Sequence, residues 1–254
     1  MQLKDKVVVV TGGASGIGLA MARRFAAEGA RAVIVADRDG ERARLEAAQF
    51  GAHAVALDVR GEGAIAALVD DVETRHGPID LFCSNAGTTA IGGPELPDAD
   101  WARVMDVNLM AHVRAARVLL PRMLARGGGY LLQTASAAGL LSQFDAPYAV
   151  SKHAAVAFAE WLSITYGDRG IRVSCLCPGA VDTPLLQAES GARRALLAQG
   201  LIDADAVAAA VVDALAEERF LILTHEFVRE QQQRKVADPE RWLRGMRRLH
   251  GQAL

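Results

Sequence analysis

The junction between four consecutive valines, Val7 to Val10, and the segment Thr11-Gly12-Gly13-Ala14-Ser15-Gly16-Ile17-Gly18 constrains the fold more than any other part of the chain. A short, continuous apolar run reads as a strand buried on both faces, as in a parallel sheet. Residues 17–30 follow with small and apolar side chains at helical spacing. A strand, a glycine-rich turn and a helix in this order form a seat for a pyrophosphate. Glycines let the backbone turn tightly and come close to the phosphates, and the helix N-terminus offers unpaired N–H groups to the negative charge. Gly12, Ser15, Gly16, Ile17 and Gly18 are therefore candidate dinucleotide contacts. A purely structural turn explains a glycine pair, but explains three spaced glycines less well.

The rest of the chain keeps the same alternation. Strands are expected at 31–36, 52–57, 79–83, 130–134, 171–176 and 220–223, and helices at 39–49, 64–76, 100–126, 147–168 and 203–216. Pro121 predicts a kink in the C-terminal part of the 100–126 helix. This pattern gives an α/β fold, a doubly wound parallel sheet of Rossmann type with helices on both faces and ligands at the carboxyl ends of the strands. With no linker, internal repeat or low-complexity stretch, residues 1–254 read as a single dinucleotide-binding and catalytic domain, with 226–254 as a C-terminal extension. Arg241, Arg244, Arg247 and Arg248 crowd a helical stretch of that extension. A solvated face or subunit contact is the reading, and a phosphate or membrane patch the alternative.

Composition excludes several classes. At 51% hydrophobic the chain can bury a large core, and its net charge of −2 gives no electrostatic case for nucleic acid. No apolar run is long enough to span a bilayer, and residues 1–6 lack the apolar stretch of a signal peptide, so a cytoplasmic protein is expected. Cys83, Cys175 and Cys177 lie in apolar runs and read as core residues. The six histidines, His53, His76, His112, His153, His225 and His250, are scattered without metal spacing, and no metal site is expected.

The strand ends carry further candidates. Asp37 closes the second strand, 19 residues after Gly18. A carboxylate there accepts hydrogen bonds from the ribose hydroxyls and repels a 2′-phosphate, which favours NAD over NADP. Arg38 opposes that preference, whereas Ser15 occupies the turn position where a basic residue would have met the phosphate. The Asp58 side chain and Val59 backbone can meet the adenine amino group, or Asp58 is an exposed strand-end residue. Asn85, Ala86 and Gly87 allow close approach to a dinucleotide, or form an ordinary turn. Tyr148 and Lys152 stand four residues apart and so share a helix face. A nearby ammonium favours phenolate over phenol, lowering a pKa that is ordinarily about 10. A tyrosine so tuned can exchange a proton with an alcohol.

Taken in order, TGGASGIG at 11–18, LDV at 57–59, NAG at 85–87, Asn108, Ser136, YAVSK at 148–152 and CPGAVDTP at 177–184 resemble the short-chain dehydrogenase/reductase family from residue 6 to about residue 223. The resemblance implies a nicotinamide cofactor and a homotetramer or homodimer. It implies Tyr148 as general acid/base and Lys152 as the group that tunes it and holds the nicotinamide ribose. Ser136 would bind the substrate oxygen, and Asn108 would position a proton-carrying water. Pro178, Gly179, Val181 and Thr183 would orient the nicotinamide carboxamide. The function so implied is NAD-dependent interconversion of a secondary alcohol and a ketone. An NADP-dependent carbonyl reductase and a non-catalytic dinucleotide-binding regulator are the alternatives. The Ser136–Tyr148 interval is one residue shorter than the family usually has, which predicts a tighter loop with Phe144 at the pocket rim. Expected pocket walls are 88–93, 137–147 and 181–199, mostly small and apolar, with bulk at Phe144, Leu185 and Leu186. Arg193 and Arg194 either reach an anionic substrate group or form the exposed side of a lid helix.

Overall fold

The computed structural model describes residues 1–142, 144–188, 191–198 and 200–252, without the side chains of Ala192 and Arg193. Seven strands, β1 (Val7–Thr11), β2 (Ala32–Asp37), β3 (His53–Ala56), β4 (Leu81–Ser84), β5 (Gly129–Thr134), β6 (Ile171–Leu176) and β7 (Leu221–Ile222), form one parallel sheet. Their spatial order is β3-β2-β1-β4-β5-β6-β7. The chain runs outward from β1 in one direction, then restarts beside β1 at β4 and runs the other way. The crevice at the carboxyl ends of β1 and β4 is thus the topological switch point where this class of sheet binds ligands.

The helices are α1 (Gly16–Ala27), α2 (Gly40–Ala48), α3 (Glu62–His76), α4 (Asp98–Met105), α5 (Ala111–Ala125), α6 (Ala146–Tyr166), α7 (Pro184–Gln187), α8 (Gly191–Leu197), α9 (Ala204–Ala216), α10 (Glu226–Ala237) and α11 (Pro239–Gly251). The valine run of β1 explains why the sheet is covered on both sides. Val7 and Val9 pack with Ile65, Leu119 and Leu162 of α3, α5 and α6, whereas Val8 and Val10 pack with Met21, Phe25 and Leu215 of α1 and α9. Successive strand residues point to opposite faces, so a strand between two helical layers must be apolar at each position. Helix starts follow their caps: the Asp39 carboxylate accepts from Arg42 N–H and that of Asp203 from Ala206 N–H.

One expectation needs correction. The helix expected over 100–126 is interrupted, but not at Pro121, which lies inside α5. The interruption is a π-helical turn, Asp106–Met110, carrying the buried Asn108. Asn108 is held from outside the helix by Thr88 and Ser151, so an inserted turn is tolerated there. Arg241, Arg244, Arg247 and Arg248 are all exposed, on a segment that is otherwise anchored to the body of the protein. That segment folds into α10 and α11, and Trp242 and Val228 are buried against Ala137 and Leu141. No helix among the described residues is long and apolar enough to cross a membrane.

Candidate active site

A cavity of about 1720 Å³ opens along the carboxyl ends of the strands. Of the catalytic and cofactor-binding candidates from the sequence, all except Asn108 line it. Its floor at one end is the glycine-rich turn. Gly12 has φ +63°, and a Cβ there would lie 2.8 Å from Ala86 Cα. A Cβ on Gly18 would lie 2.2 Å from the Gly12 carbonyl oxygen. The two glycines therefore let the turn, the start of α1 and the end of β4 meet backbone to backbone. Thr11 rivets this junction: its Oγ1 accepts from the N–H groups of Asn85, at 2.9 Å, and Ala86, at 3.2 Å, and donates to the Cys83 carbonyl. Asn85, expected as a cofactor contact, has its amide turned to the Thr11 carbonyl at 3.0 Å, so its side chain props the turn.

Asp37 stands beside that turn. Its Oδ2 accepts from Ala14 N–H at 3.1 Å and its Oδ1 from Asp39 N–H at 3.1 Å, which fixes the carboxylate at the cavity edge. Arg38, Arg42 and Arg60 line the same end. Asp58 is forked onto Arg60, with Nη2 2.6 Å from Oδ2, and this hydrogen bond holds its carboxyl below the usual carboxylate range. A contact from Asp58 to an adenine would compete with that pair.

At the other end β5 and α6 bring Ser136, Tyr148 and Lys152 to one wall. Lys152 is 2% exposed, donates to the Thr134 carbonyl at 2.9 Å, and its pKa is pushed down by burial to about 8. Its Nζ lies 5.8 Å from the centroid of the Tyr148 ring. Tyr148 shows some surface at the cavity wall, yet its phenol is raised above the ordinary value because the surrounding protein desolvates it; a hydrogen bond with Ser136 works the other way. The lowering expected from Lys152 is thus not the dominant effect: the ammonium is held on Thr134. The Ser136 hydroxyl also accepts from Ala138 N–H at 3.1 Å. Asn108 is fully buried, with its amide bonded to both the N–H and the carbonyl of Thr88 and to Ser151 Oγ, each at 2.9 Å. Its side chain therefore clamps the π turn. The shortened loop is closed by Gly92 N–H to Asp145 Oδ1 and Ala146 N–H to Gly92 O, both 3.0 Å, with Phe144 at φ +48°. Phe144 lines the cavity, as expected, and its ring meets His250 edge-on at 5.8 Å.

The profile of the short chain dehydrogenase family matches residues 6–194. The chain belongs to the short-chain dehydrogenase family. It is 39% identical over 239 residues to a 1-deoxy-11-beta-hydroxypentalenate dehydrogenase of Streptomyces exfoliatus, covering 90% of this chain and 86% of that one. It is similar to a short-chain dehydrogenase/reductase from Burkholderia phymatum solved in complex with NAD, with a TM-score of 0.86, 31% identity, and 94% and 96% of the two chains covered. A 7 alpha-hydroxysteroid dehydrogenase complexed with NADH and 7-oxo glycochenodeoxycholic acid gives a TM-score of 0.81 at 26% identity, over 87% and 93%. The chain is thus a dehydrogenase of this family, whose members use a nicotinamide dinucleotide.

This short-chain dehydrogenase has two features at the site that its sequence did not disclose. His225, set aside above as scattered, is 7% exposed and clasps three chain segments. Its Nδ1 accepts from Gly179 N–H at 3.1 Å and lies 2.8 Å from Thr224 Oγ1. Its Nε2 faces the carbonyls of Ala180 at 3.1 Å and Gly200 at 3.0 Å, which fixes the proton on Nε2. A lone histidine in a sequence carries no signal for such a clasp. The second feature is the tail. Phe227, Arg234, Arg241, Trp242, Met246, Arg248 and Leu249 line the cavity. The spacing of Trp242, Met246 and Leu249 on one helical face is the signal that marks an inward side. Arg194 is exposed and donates to the Gln187 carbonyl, and the side chain of Arg193 lies outside the described residues.

Proposed function

We propose that this chain is an NAD-dependent dehydrogenase that interconverts a secondary alcohol on a bulky apolar scaffold and the corresponding ketone. The observation that carries this reading is the placement of Ser136, Tyr148 and the buried Lys152 together on the wall of the cavity that begins at the glycine-rich turn. That turn suits a dinucleotide, because side chains at Gly12 and Gly18 would fill the space that close backbone approach needs. When bound, a nicotinamide supplies the hydride acceptor or donor. The protein handles the proton and the oxygen. Tyr148, held protonated near neutrality by desolvation, gives its proton to the ketone oxygen in reduction; as phenolate it takes the hydroxyl proton in oxidation. Ser136 donates a second hydrogen bond to that oxygen, where negative charge develops. Lys152 steadies the phenolate electrostatically. His225 orients the 178–180 backbone, which faces the nicotinamide end.

The walls around Tyr148 include Leu141, Phe144, Leu185, Leu186 and Leu197, which suit an apolar ring system. The relatives that act on hydroxypentalenate and on a 7-oxo steroid support a ring ketone or alcohol. The fixed carboxylate of Asp37 supports NAD, since it accepts from ribose hydroxyls and repels a 2′-phosphate; the neighbours that hold NAD and NADH agree. Arg38, Arg42 and Arg60 at the same end favour the NADP reading. The two are separated by steady-state kcat/KM with both cofactors. Wild type is expected to prefer NAD by at least about tenfold, a difference of about 1.4 kcal/mol. Asp37→Ala is expected to shrink that preference by improving NADP use. Equal use of both cofactors by wild type would mean that the arginines outweigh Asp37.

A further inference from the structure

The α10–α11 hairpin differs in charge from the rest of the molecule. Residues 226–252 carry seven Lys and Arg against four Asp and Glu, in a chain of net charge −2. Three of these arginines, Arg234, Arg241 and Arg248, line the cavity. Their end of the cavity is set by how the hairpin is anchored. Trp242 packs against Ala137 and Leu141, directly after Ser136, and Lys235 donates to the Leu140 carbonyl at 2.7 Å while lying 5.3 Å from the Trp242 ring centroid. The hairpin therefore roofs the substrate side, whereas Arg38, Arg42 and Arg60 flank the opposite end beside β2 and β3.

Arg241 and Arg248 are about two helical turns apart and share a face. Neither makes an ion pair among the described residues, and Arg234 has only a surface pair with Glu230 at 3.6 Å. Carboxylates near this mouth are committed elsewhere: Asp238 caps α11 by accepting from Arg241 N–H at 2.9 Å, and Asp145 accepts from Gly92 N–H. Trp242, 8% exposed, also lines the cavity. Met246 and Leu249 place apolar surface between these donors. A guanidinium presents a planar fork that matches a carboxylate, and two such forks beside apolar side chains suit an apolar body that ends in an anion.

We propose that Arg241 and Arg248, with Arg234 alongside, form an anion site at the substrate mouth, and that the substrate is an apolar ring alcohol or ketone bearing a carboxylate. This rests on the dehydrogenase reading for its ring alcohol, but the anion site is tested without turnover. Calorimetric titration of the full-length, NAD-saturated protein with decalin-2-carboxylate and with decalin-2-carboxamide compares a charged and a neutral ligand of one shape. The carboxylate is expected to bind at least tenfold more tightly. The double variant R241Q/R248Q is expected to bring its affinity down to that of the amide. R244Q/R247Q removes the same charge from positions that do not line the cavity, and is expected to keep the preference. Carboxylate binding that is absent or no tighter than that of the amide overturns the proposal, as does a preference that survives R241Q/R248Q. So does equal loss in both double variants, which would mean diffuse attraction by the tail. Selective carboxylate binding without oxidation of any hydroxylated analogue would instead leave the anion site standing and remove the dehydrogenase reading.

Discussion

Tyr148→Phe is expected to lower kcat by about 10²–10⁴-fold, the range typical of general acid–base catalysis, while dinucleotide affinity stays near that of wild type. The substitution removes the hydroxyl and keeps the ring that packs on the cavity wall. No neighbour can take over. Ser136 Oγ has no adjacent base to activate it, and Lys152 Nζ is held on the Thr134 carbonyl. The pH dependence sharpens the test. Desolvation raises the phenol, so in wild type alcohol oxidation, which needs phenolate, should gain with rising pH, and ketone reduction, which needs phenol, should lose. Both slopes should be missing from the residual activity of the variant. Turnover within about threefold of wild type would remove Tyr148 from the proton-transfer role.

His225→Ala is expected to raise the KM for the dinucleotide at least tenfold, with a smaller loss in kcat at saturation. The ring holds Gly179 N–H on one side and the carbonyls of Ala180 and Gly200 on the other. Removing it leaves these buried groups unpaired, at about 1–3 kcal/mol each, and opens a void, so the Tm should fall as well. The ring is also a wedge: a Cβ on Gly179 would lie 3.0 Å from His225 Cγ, so the strip has little freedom while the ring is present. His225→Gln, which can still donate to a carbonyl, should recover part of the cofactor KM. A lowered Tm with an unchanged dinucleotide KM would make His225 a residue of the fold alone.

The contrast between these two residues shows what the sequence made legible. Tyr148 and Lys152 could be found because helical geometry converts a spacing of four into a shared face, and both do reach one wall. The glycine-rich turn was legible for the same kind of reason: its chemistry is local to one strand–turn–helix unit. The two-sided core was legible in the valines of β1, whose alternation between the two layers is a property of any strand. What stayed hidden depends on contacts between distant segments. His225 meets Gly179 and Gly200 only because β7 lies next to β6. The π turn at Asp106–Met110 is stabilised by Thr88 and Ser151, neither of which marks a helix defect in sequence. A helix breaker such as Pro121 is visible locally, whereas the tertiary clamp that holds the π turn is not. The pKa of Tyr148 was misjudged in direction since pair spacing reveals a neighbouring charge but not the depth of burial, and here desolvation prevails. The arginines of the tail drew attention to its solvated side, whereas Val228, Trp242 and Lys235, which anchor it over the mouth, act through residues distant in sequence.

As proposed, this chain moves a hydride between a ring secondary alcohol and NAD, with Tyr148 handling the proton. The most direct measurement is transfer of label from carbinol-deuterated cyclic alcohols to the cofactor, read by mass analysis of the recovered nicotinamide. Deuterium is expected on the nicotinamide ring in equal amount to the ketone formed, with Tyr148→Phe slowing both by about 10²–10⁴-fold. A protein that binds the dinucleotide yet transfers no label from any cyclic alcohol, with NAD or NADP, would contradict this reading and leave a dinucleotide-binding regulator as the better description.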